Sequence, residues 1–187
     1  MTTTAATTFL RVFSEGDPQR SLLQTTDADV IASELRDLGV RFERWNAGVQ
    51  LEPGANQEAV IEAYRSSVDR LMDECGYRSV DVIRVEPGTP NVDALRTKFL
   101  DEHQHAEDEV RFFVEGRGAF YLHAKQRVYQ VVCVRGDLIS VPAGTKHWFD
   151  MGPDPALTAI RFFINPDGWV ARFTGDTVAS RFPKLDD

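Results

Sequence analysis

The stretch DEHQHAEDEVRFF, Asp101 to Phe113, decides how this chain is read. It sets two of four histidines, His103 and His105, one residue apart among acidic neighbours. On an extended strand, positions two apart project to the same face, so both imidazoles come within reach of one ion. Imidazole is the commonest transition-metal ligand at neutral pH. Glu109 has the same parity, but a straight strand rising roughly 3.3 Å per residue would leave it about 20 Å from His103. It joins the same ion only if the chain turns at Ala106-Glu107-Asp108 and a new strand starts at Glu109.

Downstream, the runs EVRFFV, GAFYLHA, RVYQVVCV, DLISVP, KHWFDM and LTAIRFFIN follow one another between Gly, Pro and charged residues. Short β-rich runs at that close spacing predict an antiparallel sandwich or barrel. The first two read as a hairpin around Glu115-Gly116-Arg117-Gly118. In GDLISVPAGTKHWF, Gly136, Pro142 and Gly144 punctuate a strand and a tight turn. They bring in His147, from a different strand, as the natural fourth ligand.

Upstream, the texture is mixed. DADVIASELRDL, Asp27 to Leu38, has a capping Asp or Thr at its start, apolar residues at helical spacing and Gly39 as a stop. GVRFERWNAG suggests a strand or edge segment. A longer amphipathic helix is expected from about Asn56 to Glu74, ending at Gly76. RSVDVIRVEP reads as a strand closed by Pro87, and NVDALRTKF as a further helix. The expectation is a single domain over residues 1–187. Its threonine-rich start, 1–8, is a candidate for disorder, 20–98 is a helix-rich elaboration, and 99–173 is the metal-binding barrel core.

Composition narrows the function. There are 29 acidic against 21 basic residues, a net charge of −8, which repels a phosphate backbone. Nucleic acid is not an expected partner. Cys75 and Cys133 lack CxxC spacing, so neither a disulfide scaffold nor a thiolate zinc site is suggested. The start lacks a signal-peptide pattern, and no run of about 18 apolar residues offers a membrane span. A cytoplasmic monomer is the expectation.

HQHAEDE with Gly116 matches the first cupin motif, HxHx3Ex6G, and GDLISVPAGTKH matches the second, Gx5PxGx2H. Thr97 stands where the first motif often begins with glycine, and Met151 where the second often ends in asparagine. Neither position is a ligand. Within that superfamily, KFLDEHQHAEDEVRFFVEGRGAFYL, DLISVPAGTKHWFD and RFFINPDGWVARF resemble bacterial acireductone dioxygenases, with the resemblance covering about Phe99 to Phe173. It implies a mainly β (α+β) fold, a cupin-type antiparallel barrel or jelly roll with the N-terminal helices packed outside. It also implies a single Fe(2+) or Ni(2+) per chain on His103, His105, Glu109 and His147.

The implied activity cleaves 1,2-dihydroxy-5-(methylthio)pent-1-en-3-one with O2 in methionine salvage. The iron form would give 4-methylthio-2-oxobutanoate and formate, and the nickel form methylthiopropanoate, formate and carbon monoxide. Arg111, two residues after Glu109 and of the same parity, should project into the same cavity. A buried guanidinium beside a cationic site costs free energy unless an anion completes it, which favours a catalytic and substrate-binding role over strand support. Phe99, Phe149 and Trp169 would serve equally as core aromatics; the resemblance places them in the substrate pocket. Glu107 and Asp108 read as turn carboxylates, and His123, in YLHAKQR, as an exposed polar residue. The alternatives are another metal-dependent cupin dioxygenase and a non-catalytic metal-binding cupin that senses a small molecule.

Overall fold

A computed structural model describes residues 6–165 and 169–186. Eleven strands among them build two antiparallel sheets that share one long strand, β6 (Glu109–Ala124). One sheet runs β11 (Arg172–Phe173), β5 (His103–Gln104), β9 (Lys146–Asp150), β6, β7 (Arg127–Val134), β1 (Phe9–Ser14), β2 (Asp17–Thr25). The other is built on the first part of β6. There β10 (Leu157–Phe163) pairs on one side and carries β4 (Ser79–Val85), while β8 (Asp137–Val141) pairs on the other and carries β3 (Arg41–Arg44).

The strand period of two explains the layers. Val110, Phe112 and Val114 of β6 face outward into a cluster with Val60, Tyr64, Val68 and Leu71. Those four come from α2 (Gln57–Ala63), α3 (Arg65–Cys75) and the residue between them. Phe113, of opposite parity, faces the space between the sheets, with Leu10, Val131, Ile139, Phe149 and Ala159. On the far face, Ala119, Tyr121 and Trp148 are covered by Val178 and Phe182 of the C-terminal 3-10 turn. α1 (Ala28–Arg36) inserts Ile31 and Leu35 into the inter-sheet core, with Asp27 as its cap, accepting hydrogen bonds from the Asp29 and Val30 amides.

Several sequence expectations need correction. Glu115 to Gly118 is no hairpin: β6 continues through it. Gly116, at φ +68°, lets the strand change partners where any Cβ would lie 1.8 Å from the Ala156 carbonyl oxygen. The long helix at 56–74 is two helices, interrupted at Tyr64, whose backbone leaves helical geometry at φ −120° and ψ 21°. The strands expected in GVRFERWNAG and RSVDVIRVEP are β3 and β4, but β1 and β2, which pair with each other and through β1 with β7, were not anticipated. Of the threonine-rich start, residues 1–5 lie outside the described residues. Thr8 is ordered by burial, its hydroxyl donating to Asp137 Oδ2 at 2.6 Å.

Candidate metal centre

The turn anticipated at Ala106-Glu107-Asp108 is there, and it is pinned by its own carboxylates. Asp108 Oδ1 accepts from the Ala143 amide at 2.9 Å, tying the turn to the Pro142–Gly144 corner. Glu107 Oε2 accepts from the Asn165 amide at 3.0 Å. β5 ends before the turn and β6 begins at Glu109, so His103, His105 and Glu109 converge. β9 brings His147, which is cross-strand from His103 on β5 and from Leu122 on β6. All four residues are buried, and one potential ligand atom from each lies within 4.8 Å of the others.

Hydrogen bonding fixes how the rings are presented. Nδ1 of His103 donates to the Asp101 carbonyl oxygen at 2.7 Å, and Nδ1 of His147 to that of Thr145 at 2.8 Å. A carbonyl can only accept, so in each ring Nδ1 carries a proton; Nε2 of neutral His103 turns a lone pair to the centre, and Nε2 of His147 offers one once its proton toward Glu109 is displaced. Nε2 of His147 and of His105 lie 2.8 and 3.1 Å from the same oxygen, Glu109 Oε2. His105 Nδ1 is buried without a hydrogen-bond partner among the described residues.

The charges are unequal. Burial opposes the Glu109 carboxylate, but Arg111 and the hydrogen bonds from His105 and His147 outweigh it and hold the carboxyl well below its ordinary range. Burial and the neighbouring His147 push His103 down to about 4. Burial also acts to lower His147, yet its hydrogen bond and charge contact with Glu109 win and raise it. One imidazole held neutral by burial and two set against a buried carboxylate make a ligand set that fits a divalent cation.

Three of the four, His103, His105 and Glu109, border a cavity of about 440 Å³. Arg111 enters it from β6, almost wholly buried, with Nη2 2.7 Å from Glu109 Oε1 and with Nε and Nη1 unpartnered among the described residues. Burial lowers its pKa against the pull of Glu109. Phe99, Phe149 and Trp169 line the same cavity. The guanidinium carbon sits 4.3 Å from the Phe149 ring centroid, and Trp169 stacks on His105 at 5.9 Å and 21°. The Trp169 indole donates to the Asp108 carbonyl oxygen at 3.2 Å.

Two features escaped the sequence reading. Arg161 also lines the cavity, doubly paired with Asp81 at 2.7 and 2.5 Å; its alternation within LTAIRFFIN was the available signal. His123 is not exposed: its side chain is 9% accessible, between Glu102 and Glu15. A larger cavity of about 580 Å³ lies beside Gly116, but its arginines are engaged, Arg117 with Asp186, Arg44 with Asp137, and Arg135 with the Ala47 and Val49 carbonyls.

Comparison with known proteins agrees with this geometry. The ARD/ARD' family model matches residues 10–171. An acireductone dioxygenase of Stutzerimonas stutzeri is 57% identical over 95% of this chain and 98% of its own, and one of Parvibaculum lavamentivorans is 58% identical over 96% and 97%. The solved acireductone dioxygenase from Bacillus anthracis, which has a cadmium ion in its active centre, superposes with a TM-score of 0.78 at 30% identity, covering 91% of this chain and all of that one. The fold is that of a cupin, and the chain belongs to the acireductone dioxygenase family.

Proposed function

We propose that His103, His105, Glu109 and His147 hold one iron(II) or nickel(II) per chain, and that the chain cleaves the methylthio-acireductone of methionine salvage with dioxygen at this centre. The observation that carries the proposal is the junction of a buried three-histidine, one-carboxylate set with a buried arginine whose Nε and Nη1 have no partner among the described residues. Such donors are costly to bury unless an anion takes them up. A bound divalent ion supplies Lewis acidity toward an oxygen-chelating enediolate.

The chain's own groups do the rest. Arg111 offers Nε and Nη1 to a developing oxyanion in a cavity walled by aromatic rings. Its remaining bond to Glu109 fixes the plane of the guanidinium. Phe99, Phe149 and Trp169 form an apolar wall that takes the methylthio tail and excludes water. The products follow the ion: 4-methylthio-2-oxobutanoate and formate with iron, methylthiopropanoate, formate and carbon monoxide with nickel. Nickel binds such ligands more tightly than iron, so metal supply selects between them. The same reading has the protein act as one cupin domain, a monomer in the cytoplasm; light scattering after gel filtration tests the monomer.

The direct test is oxygen uptake by the iron- and nickel-loaded protein given the acireductone, with formate and carbon monoxide read from one vial. Uptake no faster than the spontaneous rate with both metals would sink the assignment in favour of another cupin dioxygenase or a binding module. Arg111→Met separates the roles. Metal content should stay at one per chain while turnover drops by about a hundredfold or more. A loss of folding stability alone would leave Arg111 a strand support.

A further inference from the structure

One wall of the cavity is attached differently from the rest. α4 (Val92–Leu100) contributes Lys98 and Phe99 to the lining. It has no buried residue, its N-cap Asn91 sits in a left-handed conformation at φ 58°, and no side chain caps it. Val92, Leu95 and Phe99 only partly cover themselves against the core. The helix lies chiefly on β9, the strand that carries His147 and Phe149.

Beside that partial apolar contact, a charge pair holds it there. Arg96 Nε donates to Asp150 Oδ1 at 2.8 Å and Nη2 to Oδ2 at 3.1 Å, a two-pronged pair that also fixes the angle of approach. Asp150 is fully buried, and its oxygens also accept the Gly152 amide at 2.9 Å and the Leu185 amide at 3.0 Å. The carboxylate is thus held from its own strand and from the C-terminal segment, and Arg96 reaches it from α4. Arg96 and Phe99 are three apart, on neighbouring positions of one helix face. Anchoring the first therefore places the second, whose ring meets Phe149 edge-on at 6.4 Å and lies 5.9 Å from the Arg111 guanidinium carbon.

We infer that Arg96 and Asp150 are a positioning pair for substrate affinity, latching α4 to β9 so that Phe99 and Lys98 close the cavity over the bound molecule. The inference rests on the reading of this cavity as the acireductone site. Neither Arg96 nor Asp150 is among the four metal-binding candidates, and Asp150 keeps its two amide bonds when Arg96 is removed. Releasing it removes binding that substrate and transition state share, which appears in KM and leaves kcat.

The test uses full-length, metal-loaded protein. Arg96→Met keeps the apolar stem and removes the guanidinium. Arg96→Met with Asp150→Asn also removes the stranded charge, should the single variant fold poorly. The expected result is a KM raised about tenfold, kcat within about threefold of the parent, and an unchanged metal-to-protein ratio. Arg96→Lys, which can offer charge but no fork, should fall between.

A second readout needs no turnover. Anaerobic titration of the iron-loaded protein with 4-nitrocatechol, a chelating chromophore, should show affinity reduced by about the same factor in Arg96→Met. An unchanged KM and unchanged 4-nitrocatechol affinity with a lowered Tm would overturn the inference and leave the pair purely structural; loss of metal would overturn it as well. If the parent consumes no oxygen yet Arg96→Met still loses 4-nitrocatechol affinity, the acireductone reading fails and the latch stands.

Discussion

Strand β6 joins two buried clusters of imidazole and carboxylate that do opposite things. At its start, Glu109 is met by the Nε2 atoms of His105 and His147, with His103 alongside, and the other nitrogens of His103 and His147 are occupied by backbone carbonyls. Near its end, His123 has carboxylate oxygens on both nitrogens, Glu102 Oε2 at 2.5 Å and Glu15 Oε2 at 3.3 Å. Glu102 in turn accepts the Thr174 hydroxyl at 2.8 Å, tying down the segment that follows β11. The histidine count alone does not separate a metal centre from a structural knot. What separates them is whether the groups converge on a shared point or are paired off one nitrogen to one carboxylate.

The hardest blow to this contrast is Glu109→Ala. Metal should be lost or greatly weakened and oxygen uptake reduced by at least about a thousandfold, since the ligand and the partner of Arg111 go together. Full metal occupancy with full turnover would end the four-ligand account. His123→Ala attacks the other cluster. It strands the Glu102 carboxylate in the interior, and urea unfolding should show a loss of about 3 kcal/mol while metal analysis still finds one ion per chain. Loss of the ion there would erase the distinction between the clusters.

Acidity sharpens the contrast. The raised His147 means its proton competes with the ion, so affinity is complete above that raised value and declines as pH falls through it. The decline should approach about tenfold per pH unit, one proton displaced per ion. His103, held at about 4, joins the competition only in much stronger acid. Nickel titrations by calorimetry across this range check it, and a flat profile below the ordinary histidine pKa of about 6.5 would contradict it. Glu15→Gln is the mildest change. Glu15 is 39% accessible, so its loss should cost under about 0.5 kcal/mol and leave the ion in place; a larger cost would make Glu15 an integral member of the knot.

The two clusters were not equally legible in the sequence. Ligand candidates follow from parity and motif spacing, because His103, His105 and Glu109 are local and His147 sits behind its own Gly-Pro-Gly corner. His123 has no local partner: Glu102 lies 21 residues away, and Glu15 is on the turn that leaves β1. Pairing of that range leaves no periodic trace. β1 and β2 escaped for a related reason: they form the outer strands of their sheet, and β2 is half-exposed along its length, so no alternation marks it. At Gly116 the glycine signal was sound and its meaning was not, because a positive φ serves a strand that changes partners as readily as it serves a turn. Arg96 and Asp150, 54 residues apart, carry no joint signal at all.

The cross-strand seating of His147 bears on how the molecule is made. Its partner Glu109 precedes it by 38 residues, so the ligand set is incomplete until β9 has closed against β5 and β6. Long-range closures of this kind come late in folding. A slip of one residue in β9 would turn the imidazole to the opposite face. On the proposed ligand set, an ion meets all four ligands only after this closure. It acts as an inspector of the finished product, binding tightly only to chains whose strands have zipped in register, and by mass action it then protects those chains from unfolding in proportion to the free metal around them.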